Sequence, residues 1–518
     1  MHKWLMLVLF LCSQCQWEHT GSFEAVCAKF EGKFDYAIIE GKVIDGTGSP
    51  ARVADILVQG DSIVYVGPVD TSRIQAKMIY ATGQLITPGF IDVHAHGDPF
   101  EDDFSNFLSM GVTTIVLGQD GRSPVSAFED PNSFFDSLQQ KSFMINLAFL
   151  SGHGDLRQKV QKGKQSELSM EELSEMLRIL RTEMIAGTFG LSTGLEYFPG
   201  FLADRQELDS MALTVSHEQG LIMSHLRSED DDKMNASINE LLAQGQHCQV
   251  HVSHLKVVYG QQESRAEEIL DRLEKAAESG IEVSADVYPY AASYTGIGIV
   301  FPEWAKTRSD FENAIQTRQQ ELREFLYQKI MDRNGPEATL FATRPFTGKT
   351  LAEVANESGQ DFVDILLKIG PTGASGAYFV MNESIQERFI VDPNTMISSD
   401  GGPNLRHPRS YGAFAKIIQK FVMDEKKLSL ESAIRKMTSL SAETVHLTNR
   451  GALKPGYKAD ILVFNPEEIV ANSTYENPFE PATGFSTVMV NGALVKDQNK
   501  IVHWDTGRIL RKSISVAK

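Results

Sequence analysis

Two histidines at alternate positions, His94 and His96, are the residues of this chain whose types and spacing most directly indicate chemistry. They end the run Pro-Gly-Phe-Ile-Asp-Val-His-Ala-His, whose apolar residues predict a buried strand. The two-residue period of a strand puts both imidazoles on one side of it. Adjacent imidazoles suit an apolar core poorly, because each ring nitrogen needs a polar partner. The pair is suited to chelating a divalent metal, and the alternative is two hydrogen-bonded histidines near a turn.

Further donors follow other apolar runs along the chain, and together they form a mixed nitrogen and oxygen set: His94, His96, Asp120, His225, His254 and Asp400. Such a set favours Zn²⁺ or a similar transition metal over Ca²⁺ or Mg²⁺. A catalytic zinc lowers the pKa of a bound water to roughly 7 and prepares it to attack a carbonyl carbon. A carboxylate must then accept the water proton and pass it to the leaving amine. Asp400 is the predicted general acid/base, and its alternative is a turn-forming aspartate before glycine.

Lys256 and Arg409 are predicted to bind a carboxylate of the substrate. Lys256 follows His254 by two residues, so both side chains face the same way on an extended segment. Arg409 follows Asp400 by a short loop and offers a planar fork for bidentate binding. Either residue alone is more often a surface cation than a ligand group, and it is the two together at the rim of an acidic protein that indicate a carboxylate clamp. Tyr197 and Tyr288 either add hydroxyl donors or pack as ordinary aromatic residues.

The elements that position these residues are predicted from alternating apolar and helix-like segments. Candidate strands are 113–117, 145–150, 188–192, 221–224, 249–253, 281–285 and 395–398, which with the strand ending at His94 make eight. Repeated β-α units of this kind predict a parallel sheet and, at this count, a (β/α)8 TIM-like barrel. Polar residues, including His153, follow the strands at the end where such barrels carry their active sites. We therefore predict one shared active-site rim.

The rest of the chain divides around this α/β region. Short alternating strands in residues 35–86 and again in 449–503 predict a small β-sandwich domain built from both termini. The barrel is expected to occupy residues 87–448. Between its seventh and eighth strands, residues 298–391 are far too many for an ordinary loop and predict an insertion, in the position of a lid over the barrel mouth.

Composition and the amino terminus narrow the range of partners. The net charge of −19 over 518 residues argues against nucleic acid and anionic membrane surfaces, which favour clustered Lys and Arg. Residues 1–22 resemble a secretory signal peptide, because Lys3 precedes an apolar run shorter than the about 20 residues of a membrane span. A secreted or periplasmic location without a membrane span is expected. A lipid anchor at Cys12 or Cys15 stays open.

Several longer motifs extend these observations: Thr87-Pro-Gly-Phe-Ile-Asp-Val-His-Ala-His, Gly190-Leu-Ser-Thr-Gly-Leu-Glu-Tyr, Ser224-His-Leu-Arg-Ser-Glu, Val252-Ser-His-Leu-Lys, Asp286-Val-Tyr-Pro-Tyr and Gly451-Ala-Leu-Lys-Pro-Gly-Tyr-Lys-Ala-Asp-Ile. As a set, they resemble the amidohydrolase superfamily and, within it, the D-aminoacylase (N-acyl-D-amino-acid deacylase) family. The resemblance covers residues 35 to about 500. It implies a zinc-dependent hydrolase that cleaves N-acyl-D-amino acids, small molecules with a free carboxylate, into a carboxylate and a free D-amino acid.

Carried over by position, the resemblance implies roles for the candidate residues. A tightly held zinc would lie on His225, His254 and Asp120, and a second, weaker metal site would use His94 and His96. Asp400 would be the catalytic acid/base. The substrate carboxylate would be held by Lys256, Arg409, Tyr197 and Tyr288.

Two departures from the family pattern concern positions 120 and 196. The chain has Gly-Gln-Asp-Gly where the family usually has Asn-Cys-Gly, so Asp120 is a hard oxygen donor able to bridge two metals. Metal identity and metal count therefore stay open. Glu196 stands where we expect an apolar residue, and in the pocket it would disfavour acidic side chains.

Three other functions are alternatives to N-acyl-D-amino-acid hydrolysis. Cyclic amidohydrolases of the dihydroorotase or hydantoinase type carry a carboxylated lysine on the fourth strand, whereas residues 188–195 contain no lysine. A dipeptidase for D-residues would bind the same amide and carboxylate. A non-catalytic binding protein would be expected to lose ligands that this chain keeps. The sequence leaves open the preferred acyl group and amino acid, and the oligomeric state, while the stereochemical preference rests on the resemblance.

Overall fold

The structure is a computed structural model that describes residues 21–161 and 167–512. The predicted signal peptide, with Cys12 and Cys15, lies almost wholly outside the described residues. None of the helices in these two ranges combines the length and the apolar character that a bilayer crossing requires.

Parallel strands form the centre of the α/β region, in two sheets. One sheet has the order Asn146–Phe149, Val112–Leu117, Phe90–Asp92. The other has the order Ser151–Gly152, Gly190–Gly194, Leu221–His225, Gln249–Val252, Val283–Val287, Thr395–Ile397. The bounds of the predicted strands agree with these to within two residues. The strands are buried on both faces almost throughout, as expected for parallel strands enclosed by helices.

Backbone hydrogen bonds link the edges of these two sheets. The strand 146–149 continues through Leu150, whose N–H donates to Leu117 O (2.9 Å), into the strand 151–152. At the other edges, Asp400 N–H donates to His94 O (2.9 Å) and His96 N–H donates to Gly401 O (2.7 Å). The carboxyl ends of the first and last predicted strands therefore lie side by side.

Helices connect and cover the strands: Ser105–Ser109, Pro131–Leu138, His153–Val160, Met170–Ala186, Arg205–His217, Asp231–Gln244, Ser264–Glu278, Glu383–Val391, Arg409–Lys416, Leu430–Met437 and Ser439–Thr444. The longest of them, 170–186, begins with a reciprocal capping box between Ser169 and Glu172. It ends at Gly187, whose φ of 129° favours glycine. Local capping signals thus fix where the chain turns back towards the next strand.

The two β-rich ends of the chain share one sheet. Its order is Lys500–Ile501, Ala493–Asp497, Thr487–Val490, Ile461–Phe464, Leu85–Pro88, Lys42–Val43, Arg52–Val53. The antiparallel pairing of 461–464 with 85–88 joins the carboxyl-terminal strands to the amino-terminal ones. A second sheet, of order Ser62–Gly67, Asp55–Gln59, Lys33–Ile39, Gln75–Tyr80, packs against it around residues such as Ile38, Ile56 and Ile461.

The region between the strands 283–287 and 395–397 has a hydrophobic cluster of its own, formed by residues such as Phe301, Leu326 and Phe341. It contains the helices Arg308–Thr317, Gln319–Asp332, Leu351–Ser358 and Phe362–Ile369. An antiparallel sheet of order Ser293–Gly296, Ser375–Tyr378, Thr339–Phe341 accompanies them. This sheet starts five residues before the expected insertion boundary at 298.

Candidate active site

All six predicted metal donors converge at the carboxyl ends of the parallel strands. Asp120 lies at the centre: its Oδ1 is 3.4 Å from His94 Nε2 and 3.3 Å from His254 Nε2. Its Oδ2 is 3.6 Å from His96 Nε2. His225 Nδ1 lies 2.9 Å from His254 Nε2 and 4.0 Å from Asp120 Oδ1. Two donor groups result, Asp120–His225–His254 and His94–His96–Asp120–Asp400, and they share Asp120.

The unsatisfied polar atoms of this cluster fit a divalent metal. Both ring nitrogens of His94 and the Oδ1 of Asp120 are buried and have no hydrogen-bond partner among the described residues. Buried polar atoms are nearly always hydrogen-bonded in proteins, so atoms without partners need another explanation. Facing nitrogen and carboxylate donors of this kind match the ligand preference of zinc and similar metals.

The backbone around the cluster is strained at three of its members. Asp120, His254 and Asp400 have φ values of 55°, 39° and 48°, in the left-handed region that side chains rarely adopt. A Cβ on Gly194 would lie 2.1 Å from the carbonyl oxygen of Asp120, so only glycine permits this approach. Strained conformations persist where the surrounding structure imposes them, and they concentrate at functional sites.

Arg409 and Asp400 form a buried ion pair beside the cluster. Arg409 Nη1 lies 2.8 Å from Asp400 Oδ2, while Asp400 Oδ1 lies 3.0 Å from His96 Nε2. Burial alone would raise the pKa of Asp400, but Arg409 and the neighbouring histidines hold it well below its ordinary value. Asp400 is therefore ionised at neutral pH.

Lys256 is not a free cation, because Glu229 neutralises it. Lys256 Nζ lies 2.6 Å from Glu229 Oε1 and 2.8 Å from His254 Nδ1, and all three side chains are buried. Burial opposes the charge of Lys256, yet Glu229 raises its pKa above the ordinary value. Sequence reasoning missed Glu229, although it closes the quoted Ser-His-Leu-Arg-Ser-Glu motif.

The two predicted tyrosines differ in position. Tyr197 lines the cavity, with its ring centroid 4.5 Å from that of His225 and its hydroxyl accepting from Thr295 Oγ1 at 3.3 Å. Tyr288 is fully buried and does not line the cavity described below. Its ring lies 4.7 Å from the Arg409 guanidinium carbon and 5.9 Å from Lys256 Nζ. The structure thus brings the Tyr288 ring close to both cations.

A cavity of about 630 Å³ opens above the cluster, between the strand ends and the region 293–375. The strand-end wall includes His96, Asp120, His225, His254, Lys256, Asp400 and Arg409. The region 293–375 supplies a second part of the cavity lining, here called the insertion wall. It consists of Ser293, Tyr294, Thr295, Gly296, Ile299, Arg333, Thr372 and Ser375. This volume suits a small molecule.

Comparison with known proteins relates this site to a family. A model of the amidohydrolase family matches residues 390–495. The chain is 32% identical to an N-acyl-D-glutamate deacylase of Alcaligenes xylosoxydans xylosoxydans over 94% of this chain and 98% of that protein. The crystal structure of an N-acyl-D-glutamate deacylase from Bordetella bronchiseptica, complexed with zinc and a phosphonate inhibitor that mimics the tetrahedral intermediate, has a TM-score of 0.80. It is 30% identical and covers 92% of this chain and 100% of that one.

A D-aminoacylase, studied for the role of its binuclear metal centre with one-metal activation and second-metal attenuation, gives a TM-score of 0.79. It is 30% identical and covers 92% of this chain and 100% of that one. The chain belongs to the D-aminoacylase family of amidohydrolases. The α/β fold predicted from the sequence is confirmed as similar to that of the D-aminoacylases.

Glu196, unexpected for a D-aminoacylase, does line the cavity, and it faces a predicted metal ligand. Its Oε2 lies 3.2 Å from His225 Nε2, while His225 Nδ1 faces His254 and Asp120. Burial raises the pKa of Glu196, but His225 outweighs this effect and lowers it. A carboxylate that accepts from the outer nitrogen of a metal-binding histidine fixes its tautomer and strengthens the ligand. This partnership was not predicted from the sequence.

His153, grouped with the rim residues by its place after a strand, is not in this D-aminoacylase-like site. It begins the helix 153–160, and its Nε2 lies 2.7 Å from Glu207 Oε1, which Arg157 also contacts at 3.1 Å. The prediction was wrong because the chain turns into a helix directly after the strand 151–152, and the ring pairs with that neighbouring carboxylate.

Proposed function

We propose that this chain hydrolyses the amide bond of N-acyl-D-amino acids in a metal-dependent reaction. The observation that carries the proposal is the convergence of four histidines with Asp120 and Asp400 beside a cavity that also exposes Arg409. The products are a carboxylate and a free D-amino acid. The names of full-length relatives, deacylases of N-acyl-D-amino acids, support the same reaction.

A bound metal supplies polarisation of the substrate carbonyl and a water of lowered pKa. Asp400 is ionised, so it can accept a proton from the attacking water and pass that proton to the leaving nitrogen. Its contact with Arg409 lowers its proton affinity. A substrate carboxylate that competes for Arg409 would weaken this contact and raise the basicity of Asp400.

Recognition of the α-carboxylate is assigned to Arg409, with Tyr197 as a neighbouring hydroxyl. Arg409 is 2% exposed, and its Nε has no hydrogen-bond partner among the described residues. A guanidinium with free N–H groups at a cavity wall can bind a carboxylate by charge-assisted hydrogen bonds. Lys256 contributes less to this recognition because Glu229 already neutralises its charge.

The metal stoichiometry is proposed from the two donor groups. Zinc would be held tightly by Asp120, His225 and His254, and a second metal more weakly by His94 and His96 with Asp120 shared. The binuclear centre studied in a D-aminoacylase supports two sites of unequal effect. Metal analysis after dialysis against graded chelator concentrations tests the assignment. His94→Ala should lose only the metal that leaves the wild-type protein first, whereas His225→Ala should lose the metal that the wild-type protein retains longest.

We also propose the finer architecture predicted from the sequence. Residues 87–448 would form a closed eight-stranded barrel with an insertion at about 298–391, and residues 35–86 and 449–503 would form one β-sandwich domain. The backbone hydrogen bonds from Asp400 to His94 and from His96 to Gly401 support barrel closure. A secreted or periplasmic location, with residues 1–22 as the signal peptide, is tested by sequencing the mature amino terminus, which also tests lipidation at Cys12 or Cys15.

The activity is tested by a screen for liberated amine over matched enantiomers. N-acetyl and N-formyl derivatives of D- and L-amino acids are compared with dipeptides carrying a carboxyl-terminal D-residue. Hydantoin and dihydroorotate are assayed separately by loss of the ring, because their hydrolysis gives a ureido acid and releases no free amine. Hydrolysis of N-acyl-D-amino acids, strongly reduced in the Asp400→Asn variant, is the expected result. Turnover of the cyclic amides alone, or equal rates on both enantiomers, would contradict the proposal.

A further inference from the structure

The positively charged residues that line the cavity differ in whether a carboxylate neutralises them. Arg122 Nη1 lies 2.7 Å from Asp155, Lys256 Nζ lies 2.6 Å from Glu229, and Arg409 Nη1 lies 2.8 Å from Asp400. Arg333 also lines the cavity, yet no carboxylate oxygen lies within 4.0 Å of it in the parts of the chain that the structure describes. Among the described residues that line the cavity, Arg333 is therefore the cation without a carboxylate partner.

Arg333 is nevertheless buried, in a site that orients it. It follows the helix 319–332 directly and is 4% exposed. Its Nη1 donates to the Tyr259 hydroxyl at 3.0 Å, and its guanidinium carbon lies 5.7 Å and 5.2 Å from the ring centroids of Tyr259 and Tyr378. Two aromatic faces stabilise a cation without neutralising it. Within the described residues, Arg333 Nε and the Tyr378 hydroxyl have no hydrogen-bond partner.

The carboxylates of the cavity are already engaged elsewhere. Asp230 lies 3.1 Å from Lys329, Glu196 lies 3.2 Å from His225, and Glu229 is paired with Lys256. Asp120 and Asp400 belong to the metal cluster. A buried charge without a partner is costly, so binding of an anion would stabilise Arg333, and none of the described residues supplies that anion.

We propose that Arg333 binds a second carboxylate of the substrate, in addition to the α-carboxylate assigned to Arg409. This inference rests on the proposed function and specifies its substrate class: N-acyl-D-amino acids that carry another carboxylate, on the amino-acid side chain or at the far end of the acyl group. Glu196, expected from the sequence to disfavour acidic side chains, directs one carboxylate oxygen at His225 instead. Glu196 therefore directs its charge towards the metal cluster, whereas Arg333 offers a separate positive group for an acidic substrate.

The test compares each acid with its uncharged amide in the same enzyme preparation. N-acetyl-D-glutamate is paired with N-acetyl-D-glutamine, and N-succinyl-D-alanine with N-succinamoyl-D-alanine. The readout is the ratio of kcat/KM for the acid to that for the amide, which is independent of the folded fraction. A charge-assisted hydrogen bond corresponds to roughly a ten- to hundredfold ratio, which the wild-type enzyme should show for one pair. The pair that shows it identifies which end of the substrate carries the carboxylate.

Arg333→Met should reduce that ratio to about 1, and Arg333→Lys should retain part of it because the charge remains. Arg122→Met is the matched control, since Arg122 lines the same cavity but already pairs with Asp155. This variant should keep the wild-type ratio. An equal decrease in both methionine variants would indicate a general field effect and overturn the assignment to Arg333.

The inference and the proposed function fail in distinguishable ways. If the wild-type enzyme hydrolyses N-acetyl-D-glutamine and N-acetyl-D-alanine but favours neither acid over its amide, only the role of Arg333 is overturned. This wild-type result decides the matter even if the Arg333 variants do not fold. If no N-acyl-D-amino acid of either kind is hydrolysed by the zinc-loaded enzyme, the proposed function and the inference built on it both fall.

Discussion

The strand-end wall and the insertion wall of the cavity differ in how their charges are satisfied. On the strand-end wall, charged groups contact one another closely, as in the pairs Arg409–Asp400 and Lys256–Glu229. On the insertion wall, Arg333 has no carboxylate partner among the described residues, and most of the other polar residues carry hydroxyls rather than charges. We infer from this difference that the strand-end wall carries the reaction and the insertion wall determines substrate preference.

The walls also rest on different packing. The strand-end wall extends from parallel strands buried in the main hydrophobic cluster, whereas the insertion wall rests on the separate cluster of residues such as Phe301 and Leu326. Changes distant from one another and without shared partners usually have additive effects. Because the two walls rest on separate clusters, substitutions on the insertion wall are expected to alter substrate preference and to leave the metal affinity of the strand-end wall unchanged.

The largest effect is expected for Asp400→Asn. The amide keeps the size of the side chain but cannot accept the water proton, so kcat should fall by about 10²–10⁴. Metal content should stay near that of the wild type, because His225, His254 and Asp120 remain. Steady-state kinetics with metal analysis on the same sample checks this expectation. Loss of metal in proportion to activity would instead make Asp400 chiefly a ligand.

The next effect is on metal affinity at Asp120. Asp120→Ala should weaken binding by more than about 100-fold, the upper range for residues that only support a ligand. Asp120→Cys should retain more metal, because thiolate is also a zinc ligand. Competition with a chromogenic chelator gives both affinities. Equal loss in the two variants would show that the geometry excludes a thiolate, and no loss in either would remove Asp120 from the ligand set.

A smaller effect, on substrate binding, is expected at Arg409. Arg409→Ala should lower kcat/KM for an N-acyl-D-amino acid about ten- to hundredfold more than for its carboxamide analogue, which has no charge to bind. Arg409→Lys should also lower kcat/KM for the N-acyl-D-amino acid although the positive charge remains, because lysine lacks the planar fork of the guanidinium. Equal losses on the acid and the carboxamide would assign Arg409 to supporting Asp400 and its loop.

The smallest effect is expected at Glu196, which touches the metal cluster only through His225. Glu196→Leu should weaken metal binding by about 10-fold, the lower range for a carboxylate that orients a ligating histidine. Glu196→Gln should recover part of this loss, because its amide oxygen can still accept from His225 Nε2. Metal affinity by chelator competition distinguishes this role from simple packing, for which Leu would bind metal as well as Gln.

The sequence predicted the strand-end wall well and the insertion wall poorly. Parallel strands bring their carboxyl ends to one edge, so His225 and His254 could be grouped from spacing alone. The same reasoning failed for His153, because a strand end does not determine which way the following turn directs a side chain. Arg333 was not predicted, since its place in the cavity depends on packing between segments distant in sequence, such as those around Tyr259 and Tyr378.

The most direct test of the account is zinc titration of the metal-free enzyme, followed by amine release from an N-acyl-D-amino acid. Activity should be absent without metal and should increase in proportion to zinc up to about one equivalent per chain, as expected for one catalytic metal. His225→Ala, treated identically, should stay inactive over the same range. Full wild-type activity in protein stripped below about a tenth of an equivalent would contradict the central claim that the strand-end cluster is a catalytic metal centre.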